Sequence, residues 1–149
     1  MLLLVAWGVT ESIKVLIRSM EHKPSVKRIL LIDHNDGRRA TRVLLLREEG
    51  YEVVTADSYQ DVEGRIREAA FDLVIVETDD IKQAVLAYSE RLRGVQPQLP
   101  ILVLSDQGLF LPKEALLAHF AASYPSPREV MAKIAAIFLE STHRREQAT

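Results

Sequence analysis

The amino-acid sequence predicts a single α/β domain with a doubly wound, five-stranded parallel sheet. Short apolar runs without polar alternation recur along the chain, and segments with helical periodicity separate them. Apolar runs of this kind are typical of strands that helices cover on both faces. Because crossovers between parallel strands are right-handed, we expect helices on both sides of a sheet with strand order 2-1-3-4-5. The length of 149 residues is about that of one domain.

The composition is that of an ordinary globular domain. Lys and Arg total 19 against 21 Asp and Glu, the net charge is -2, and 48% of the residues are hydrophobic. This balance disfavours intrinsic disorder and a strongly basic nucleic-acid-binding protein. The absence of cysteine excludes disulfides, thiolate metal ligands and a cysteine nucleophile, and it favours a reducing, cytoplasmic location.

Residues 1–24 are predicted to be an amphipathic N-terminal extension. Its apolar positions recur at helical spacing, at Leu2, Val5, Ala6, Val9, Ile13, Leu16, Ile17 and Met20. The extension is too polar after Val9 to form a membrane span, which needs about 20 apolar residues. We expect its apolar face to pack on the domain or on a second copy of the chain, because the opposite face lacks the Lys and Arg of a membrane-surface helix. Alternatively, Met20 is the true start of the protein.

The first predicted strand–helix unit follows the extension. A continuous apolar run predicts a strand over 28–32, and Asn35 or Asp36 can cap a helix over 36–49. The predicted inner face of that helix consists of Ala40, Val43 and Leu44. Gly50 permits the left-handed turn that ends it.

The second unit begins with a strand over 51–56. Ser58, with Asp61 three residues later, resembles a capping box at the start of a helix. The inner stripe of that helix consists of Val62, Ile66 and Ala69. A third buried strand is predicted over 73–76.

The second half of the domain continues the alternation. The predicted elements are a helix from 81 that ends at Gly94, a strand over 101–104, a short helix over 112–119, a weak strand over 120–124 and a last helix from Ser126 or Pro127. The inward positions of the two long helices are Ile81, Ala84, Val85, Tyr88 and Leu92, and Val130, Ile134, Ile137 and Phe138. The domain is therefore predicted over 25–140, with a basic C-terminal tail over 141–149 and no separate effector domain.

Acidic and hydroxyl residues follow three of the predicted strands. They are Asp33, His34, Asn35 and Asp36 after the first strand, Glu77 and Thr78 after the third, and Ser105 and Asp106 after the fourth. In a sheet of order 2-1-3-4-5, the ligand site lies beyond the carboxyl ends of strands one and three. The sequence therefore predicts a site at that edge.

Four segments carry a resemblance to a known family. They are KRILLIDHN over 27–35, FDLVIVE over 71–77, PILVLSD over 100–106 and SPREVMAKIAAIF over 126–138. In order and spacing they resemble response-regulator receiver domains, the CheY-like family with a flavodoxin-like fold. The resemblance covers residues 27–139, which are 113 of the 149.

The resemblance implies a set of site positions. In receiver domains an aspartate accepts a phosphoryl group from a histidine kinase, two acidic residues hold Mg²⁺, and a hydroxyl and a lysine contact the phosphoryl group. The corresponding residues here are Asp33 and His34 for the acidic pair, Glu77 for the phosphoacceptor, Ser105 for the hydroxyl and Ser123, or Tyr124 in a second alignment, for the lysine. Only Asp33 and Ser105 are of the expected type.

These departures predict a degenerate receiver domain, or pseudo-receiver. Glu77 is one methylene longer than aspartate, and misplacing an attacking atom by about 1 Å can cost about a hundredfold in rate. Without the lysine and one carboxylate, charge neutralisation is lost as well. We therefore expect no phosphorylation of Glu77 and no cofactor, with Mg²⁺ binding weak or lost and Asp33 as the one remaining candidate ligand.

The substituted residues each allow two interpretations. Glu77 is either a built-in negative charge that imitates phosphorylation or a solvated carboxylate in a disused pocket. His34 is either a pH-responsive or metal-binding group, or an imidazole hydrogen-bonded in a polar turn. Phe120 stands where many receivers carry an aromatic switch residue, or it is a core residue. Asp79 or Asp80 is a second candidate acceptor, and we expect Lys113 to be solvated rather than to replace the missing lysine.

The predicted function is that of an atypical receiver in two-component signalling or a phosphorelay, acting by protein–protein contact. Expected partners are a histidine kinase or a downstream effector, with a homodimer possible and no nucleic acid. Two alternatives stay open: a conventional phosphoryl-accepting receiver, and a flavodoxin-like cofactor-binding enzyme. The second lacks the G-x-G-x-x-G and G-x-x-x-x-G-K-[ST] phosphate loops. A hydrolase built on Ser105, His34 and Asp33 lacks a nucleophile-elbow motif, so we expect no enzymatic activity.

Overall fold

A computed structural model describes residues 25–78, 94–105 and 126–148, together with residues 13, 14, 16, 92, 119 and 120. The elements are β1 (Arg28–Asp33), α1 (Asp36–Glu48), β2 (Glu52–Ala56), α2 (Tyr59–Glu68), β3 (Leu73–Glu77), β4 (Ile101–Leu104), β5 (His119–Phe120) and α3 (Pro127–Ala148). The strands form one sheet in the order β2-β1-β3-β4-β5, and every adjacent pair is parallel. The predicted fold class and strand order are thus confirmed.

The sheet is covered on both faces, as the continuous apolar runs predicted. Successive strand residues alternate between two buried clusters. One cluster, on the α2 side, contains Leu30, Ile32, Val62, Ile66, Val74, Val76, Leu92, Ile101 and Val103. The other, on the side of α1 and α3, contains Ile29, Leu31, Leu46, Leu73, Ile75, Leu102, Leu104, Val130, Ile134, Ile137 and Phe138. Each fully buried Leu or Ile contributes about 1.5–3 kcal/mol, so these clusters are the main source of stability.

Helix α1 has well-defined ends. The Asn35 side chain accepts a hydrogen bond from the Arg38 backbone N–H at 2.9 Å, which makes Asn35 the N-cap. At the other end, Gly50 has a φ of +91°. Its N–H donates to the Arg47 carbonyl at 3.0 Å, while the Tyr51 N–H donates to the Leu46 carbonyl at 3.2 Å. These two bonds form a Schellman motif, so the predicted left-handed stop at Gly50 is confirmed.

The inner face of α1 differs from the predicted one. Val43 packs against the core, but Ala40 is exposed and the Leu44 side chain is 64% exposed. Leu46 is the buried residue of this helix. Arg42 also points inward, and its side chain pairs with the buried Glu77 at the edge of the sheet.

Capping side chains also begin α2 and α3. The Ser58 hydroxyl accepts from the Asp61 N–H at 3.1 Å, but the Asp61 carboxylate accepts from the Asp57 N–H rather than from Ser58. At α3 the capping box is complete. The Ser126 hydroxyl accepts from the Glu129 N–H at 3.2 Å, and the Glu129 carboxylate accepts from the Ser126 N–H at 3.0 Å. Helix α3 continues through residues 141–148, which the sequence had assigned to a tail.

Several other predictions fall at the limits of the described residues. The helix predicted to end at Gly94 includes Val95, and Leu92 is buried in it as expected. His119, predicted to end a short helix, instead begins β5, so that strand starts one residue early. In the N-terminal extension, the described residues 13, 14 and 16 are helical and exposed. All other residues of the extension and of the ranges 79–93 and 106–125 lie outside the described residues. No helix in the described ranges combines the length and apolarity that a membrane crossing needs.

Candidate functional site

The edge of the sheet where β1 and β3 end contains two buried carboxylates. Asp33 and Glu77 are register partners on these neighbouring strands, and they are 1% and 8% exposed. Ser105, which follows β4, is also buried, and the Thr78 N–H donates to the Leu104 carbonyl beside it at 3.0 Å. The topology therefore places Asp33, Glu77 and Ser105 at the switch point between β1 and β3, as the sequence predicted.

Arg38, in the first turn of α1, binds the Asp33 carboxylate through two hydrogen bonds. Its Nε donates to Oδ2 at 2.7 Å and its Nη2 donates to Oδ1 at 2.8 Å. The Asn35 backbone N–H also donates to Oδ1, at 2.9 Å. Burial raises the pKa of Asp33, but the hydrogen bonds from Arg38 and Asn35 outweigh it, and the pKa lies below its ordinary value. Asp33 is therefore held as a carboxylate.

Arg42, one turn further along α1, binds Glu77 in the same forked manner. Its Nη2 lies 2.6 Å from Oε1 and its Nε lies 3.3 Å from Oε2. The Arg42 side chain is only 11% exposed, so this ion pair is nearly buried. Arg38 Nε also lies 3.6 Å from Glu77 Oε1. The four side chains thus form one continuous chain of charge in the order Asp33, Arg38, Glu77, Arg42.

Helix geometry explains why both arginines reach this edge. Residues four positions apart lie on the same face of a helix, so Arg38 and Arg42 stand one above the other. The Asn35 cap fixes the first turn of that helix beside Asp33. A third arginine, Arg39, donates to the backbone carbonyl of Asp33 at 3.1 Å and bonds Asp36 at 2.8 Å. The end of β1 is therefore tied to α1 through its side chain and its backbone.

The described side chains of the pocket balance one another in charge. Two carboxylates face two guanidinium groups, and all four carboxylate oxygens accept hydrogen bonds from arginine. Among the described residues, no group of three acidic, histidine or cysteine side chains is arranged to hold a metal ion. Mg²⁺ is usually bound through one or two carboxylates that are open to it, with water completing an octahedral shell. Within the described part of this edge, arginine binds both carboxylates, an arrangement that does not fit the Mg²⁺ site that the family resemblance implied.

Solved structures of known proteins resemble this fold closely. A CheY-like response regulator receiver domain from Methanospirillum hungatei aligns with a TM-score of 0.68 at 20% identity, over 80% of this chain and 99% of that chain. The chain has the receiver fold. Response regulator TrrA, solved in complex with histidine kinase ThkA, aligns with a TM-score of 0.66 at 21% identity, over 75% of this chain and 98% of that one.

Sequence comparison with curated proteins points in the same direction. The chain is 32% identical to the transcriptional regulatory protein GlrR of Escherichia coli K12 over 89 residues. These residues are 60% of this chain. It spans about a fifth, 20%, of the length of that relative. No protein-family model matches the sequence.

The structure places some of the predicted site residues together and others apart. Asp33, Glu77 and Ser105 come together, whereas His34 is exposed at the start of the loop after β1. The interpretation of Glu77 as a solvated carboxylate is wrong, because Glu77 is buried and paired with Arg42. The remaining predicted positions lie outside the described residues: Asp79, Asp80, Asp106, Lys113, Ser123 and Tyr124. Phe120 lies in β5, but its side chain is outside the description. Their roles stay predictions.

Sequence analysis missed Arg38 and Arg42, which complete the pocket. The available signal was a pair of arginines four residues apart, directly after the acidic turn of β1. The inner face of a helix is predicted from its apolar residues, and that pattern carries no information on where an arginine points. The two arginines lie one turn apart on α1 and supply positive charge to the carboxylates at the ends of β1 and β3.

Proposed function

We propose that this protein is a receiver-like module of two-component signalling that acts by protein–protein contact without being phosphorylated. The main support is that arginines of α1 bind both buried carboxylates. Arg38 Nε lies 2.7 Å from Asp33 Oδ2, and Arg42 Nη2 lies 2.6 Å from Glu77 Oε1. It is neither an enzyme nor a metal-dependent switch in this proposal, and it works in the cytoplasm.

The chemistry of phosphoryl transfer supports the loss of phosphorylation. A carboxylate that attacks phosphorus must present a free oxygen in line with the leaving group, with a metal ion neutralising the developing charge. Both oxygens of Glu77 accept hydrogen bonds from Arg42, and Asp33 is bound by Arg38. An incoming phosphodonor would therefore meet occupied oxygens and no site for the metal.

The same ion pair weighs against Glu77 as an imitation of the phosphorylated state. A phosphoryl group adds net negative charge to a receiver pocket. The Glu77 charge is compensated by Arg42 at 2.6 Å, so the pocket gains none. We infer that the module has one state of the pocket, and that its partners recognise its surface in that state.

The partner class follows from the relatives. TrrA, which shares the fold, was solved with the histidine kinase ThkA, and GlrR is a transcriptional regulatory protein. We propose a histidine kinase or a downstream effector as the partner of this chain. A second copy of the chain is the other candidate, because the described apolar residues of the N-terminal extension, Ile13 and Leu16, are 48% and 59% exposed.

Treatment with small phosphodonors tests the proposal. The protein is incubated with Mg²⁺ and acetyl phosphate, and separately with beryllofluoride, beside a receiver that has the usual acceptor aspartate. We expect an unchanged intact mass and unchanged amide shifts at Asp33, Glu77 and Ser105. A stable gain of about 80 Da, the mass of one phosphoryl group, or saturable beryllofluoride shifts at the pocket would overturn it.

A further inference from the structure

We propose that the outer face of helix α3 binds the N-terminal extension of a second copy of this chain. The exposed residues that define this outer face are Ala132, Ala135, Ala136 and Leu139. The inference deepens the proposed function, on which it rests, because it names the surface through which a second copy is recognised.

Helix α3 is apolar on two opposite sides. The buried residues of its core side are Val130, Ile134, Ile137 and Phe138. The outer-face residues recur at positions i, i+3, i+4 and i+7, so they also share one side of the helix. Between residues 131 and 139 the only charged residue is Lys133, which is partly buried. A helix that is apolar all round is typical of a buried helix, so we expect a further segment to cover the outer face.

The N-terminal extension has the complementary surface. Its predicted apolar stripe consists mostly of large aliphatic residues. Two of them, Ile13 and Leu16, are helical and are 48% and 59% exposed. Large side chains of one helix fit between the small side chains of another, because alanine leaves room for the close approach of the two helices. The extension and the outer face could therefore bury each other.

The two surfaces meet the domain at the same end. Lys27, where the chain enters β1, has its Nζ 5.7 Å from the centre of the Phe138 ring. Leu139 directly follows Phe138, and Val26, which is 61% exposed, directly precedes Lys27. The extension thus joins the domain at the level of Leu139 along α3. The carboxylate pocket lies at the opposite end of β1, so this contact does not depend on the state of the pocket.

Exposure favours a second copy over the chain's own domain. Ile13, Leu16 and Leu139 are 48%, 59% and 61% exposed in the single chain, so the described parts of the two surfaces do not cover each other within one copy. Two copies related by a twofold axis can exchange their extensions. The same contact is then made twice, and the assembly closes as a dimer.

Cysteine cross-linking tests which copy supplies the extension. The natural chain has no cysteine, so the introduced thiols are the only ones. Leu16→Cys is co-expressed with Ala136→Cys and treated with a short bismaleimide, and we expect a cross-linked heterodimer by intact mass. The matched control pairs Leu16→Cys with Leu44→Cys, because residue 44 is 64% exposed on α1, and we expect no cross-link. Cross-linking of neither pair, or only within a single chain that carries both Leu16→Cys and Ala136→Cys, would overturn the inference.

Sedimentation equilibrium measures the strength of the contact. Leu139→Glu places a charge on the outer face, and we expect it to raise the dissociation constant of the dimer about tenfold or more. Leu44→Glu, the same change at an exposed leucine of α1, should leave that constant unchanged. Ala136→Glu replaces Leu139→Glu in the comparison if the latter does not fold.

A wild type that stays monomeric up to its solubility limit would overturn the inference, as would equal effects of the two leucine variants. Either result leaves the proposed function intact if the wild type still refuses the phosphoryl group. Conversely, phosphorylation of the wild type would refute the proposed function whatever its oligomeric state.

Discussion

Arg42 and Glu77 form a nearly buried ion pair that joins helix α1 to the end of strand β3, with 2.6 Å between Nη2 and Oε1. An aspartate at position 77 would end one carbon–carbon bond short, by about 1.5 Å, and would not reach Arg42 in the same geometry. The longer carboxylate is therefore matched to the arginine. Glu77 thus supplies half of a structural cross-link between β3 and α1.

Removing Arg42 should destabilise the domain strongly. Arg42→Ala leaves the Glu77 carboxylate buried without its main partner, and breaking a buried pair in this way costs about 3–5 kcal/mol. Urea unfolding would measure the loss, with Arg47→Ala expected to stay within about 0.5 kcal/mol of the wild type. Combining Arg42→Ala with Glu77→Gln should recover part of the loss. Strictly additive effects would show that the two side chains do not interact.

Replacing Glu77 with aspartate should not make the protein a phosphoryl acceptor. In Glu77→Asp, Arg38 still binds Asp33, residue 34 is still a histidine, and no lysine is added. We expect no mass gain with acetyl phosphate and Mg²⁺, and a lower midpoint of urea unfolding because the contact with Arg42 is lengthened. Uptake of a phosphoryl group by this single variant would mean that residue 77 alone blocks the chemistry.

Acid should weaken the fold through Asp33. Its pKa is lower in the folded chain than its ordinary value, because the bonds from Arg38 and Asn35 outweigh burial. Its stabilising contribution is therefore present above the unfolded-state pKa and is lost as the pH falls through the folded-state pKa. We expect urea unfolding of the wild type to lose more free energy between neutral and acidic pH than unfolding of Asp33→Asn. Parallel pH profiles for the two proteins would contradict this assignment.

The parts of the fold that depend on local pattern could be predicted from the sequence. Neighbouring residues alone determine the apolar runs of β1, β3 and β4 and the turn at Gly50. The predictions for these elements therefore agree with the structure. Arg42 could not be placed in the same way, because its inward direction depends on Glu77, which is 35 positions away along the chain. A polar side chain is assigned to solvent unless its partner is known.

Helix α3 shows the opposite limit of local pattern. Its predicted apolar stripe ends at Phe138, and residues 141–149 were predicted to form a tail. They are helical through Ala148 and largely exposed, and their described contacts include ion pairs such as Arg144 with Glu140, at 3.8 Å. Such pairs are worth only about 0.2–0.5 kcal/mol each. Hydrophobic periodicity does not reveal them, because they join polar residues.

Two glycines give a matched test of backbone conformation. Gly50 has a φ of +91°, and Gly64 lies inside α2; a Cβ at either position would meet nothing within 4 Å. Gly50→Ala should therefore cost about 1–2 kcal/mol from the left-handed backbone alone. Gly64→Ala should stabilise the domain by up to about 1 kcal/mol, because alanine loses less conformational entropy in a helix. Urea unfolding of both variants measures the contrast, and a shift of the same sign in the two would contradict the assigned turn at Gly50.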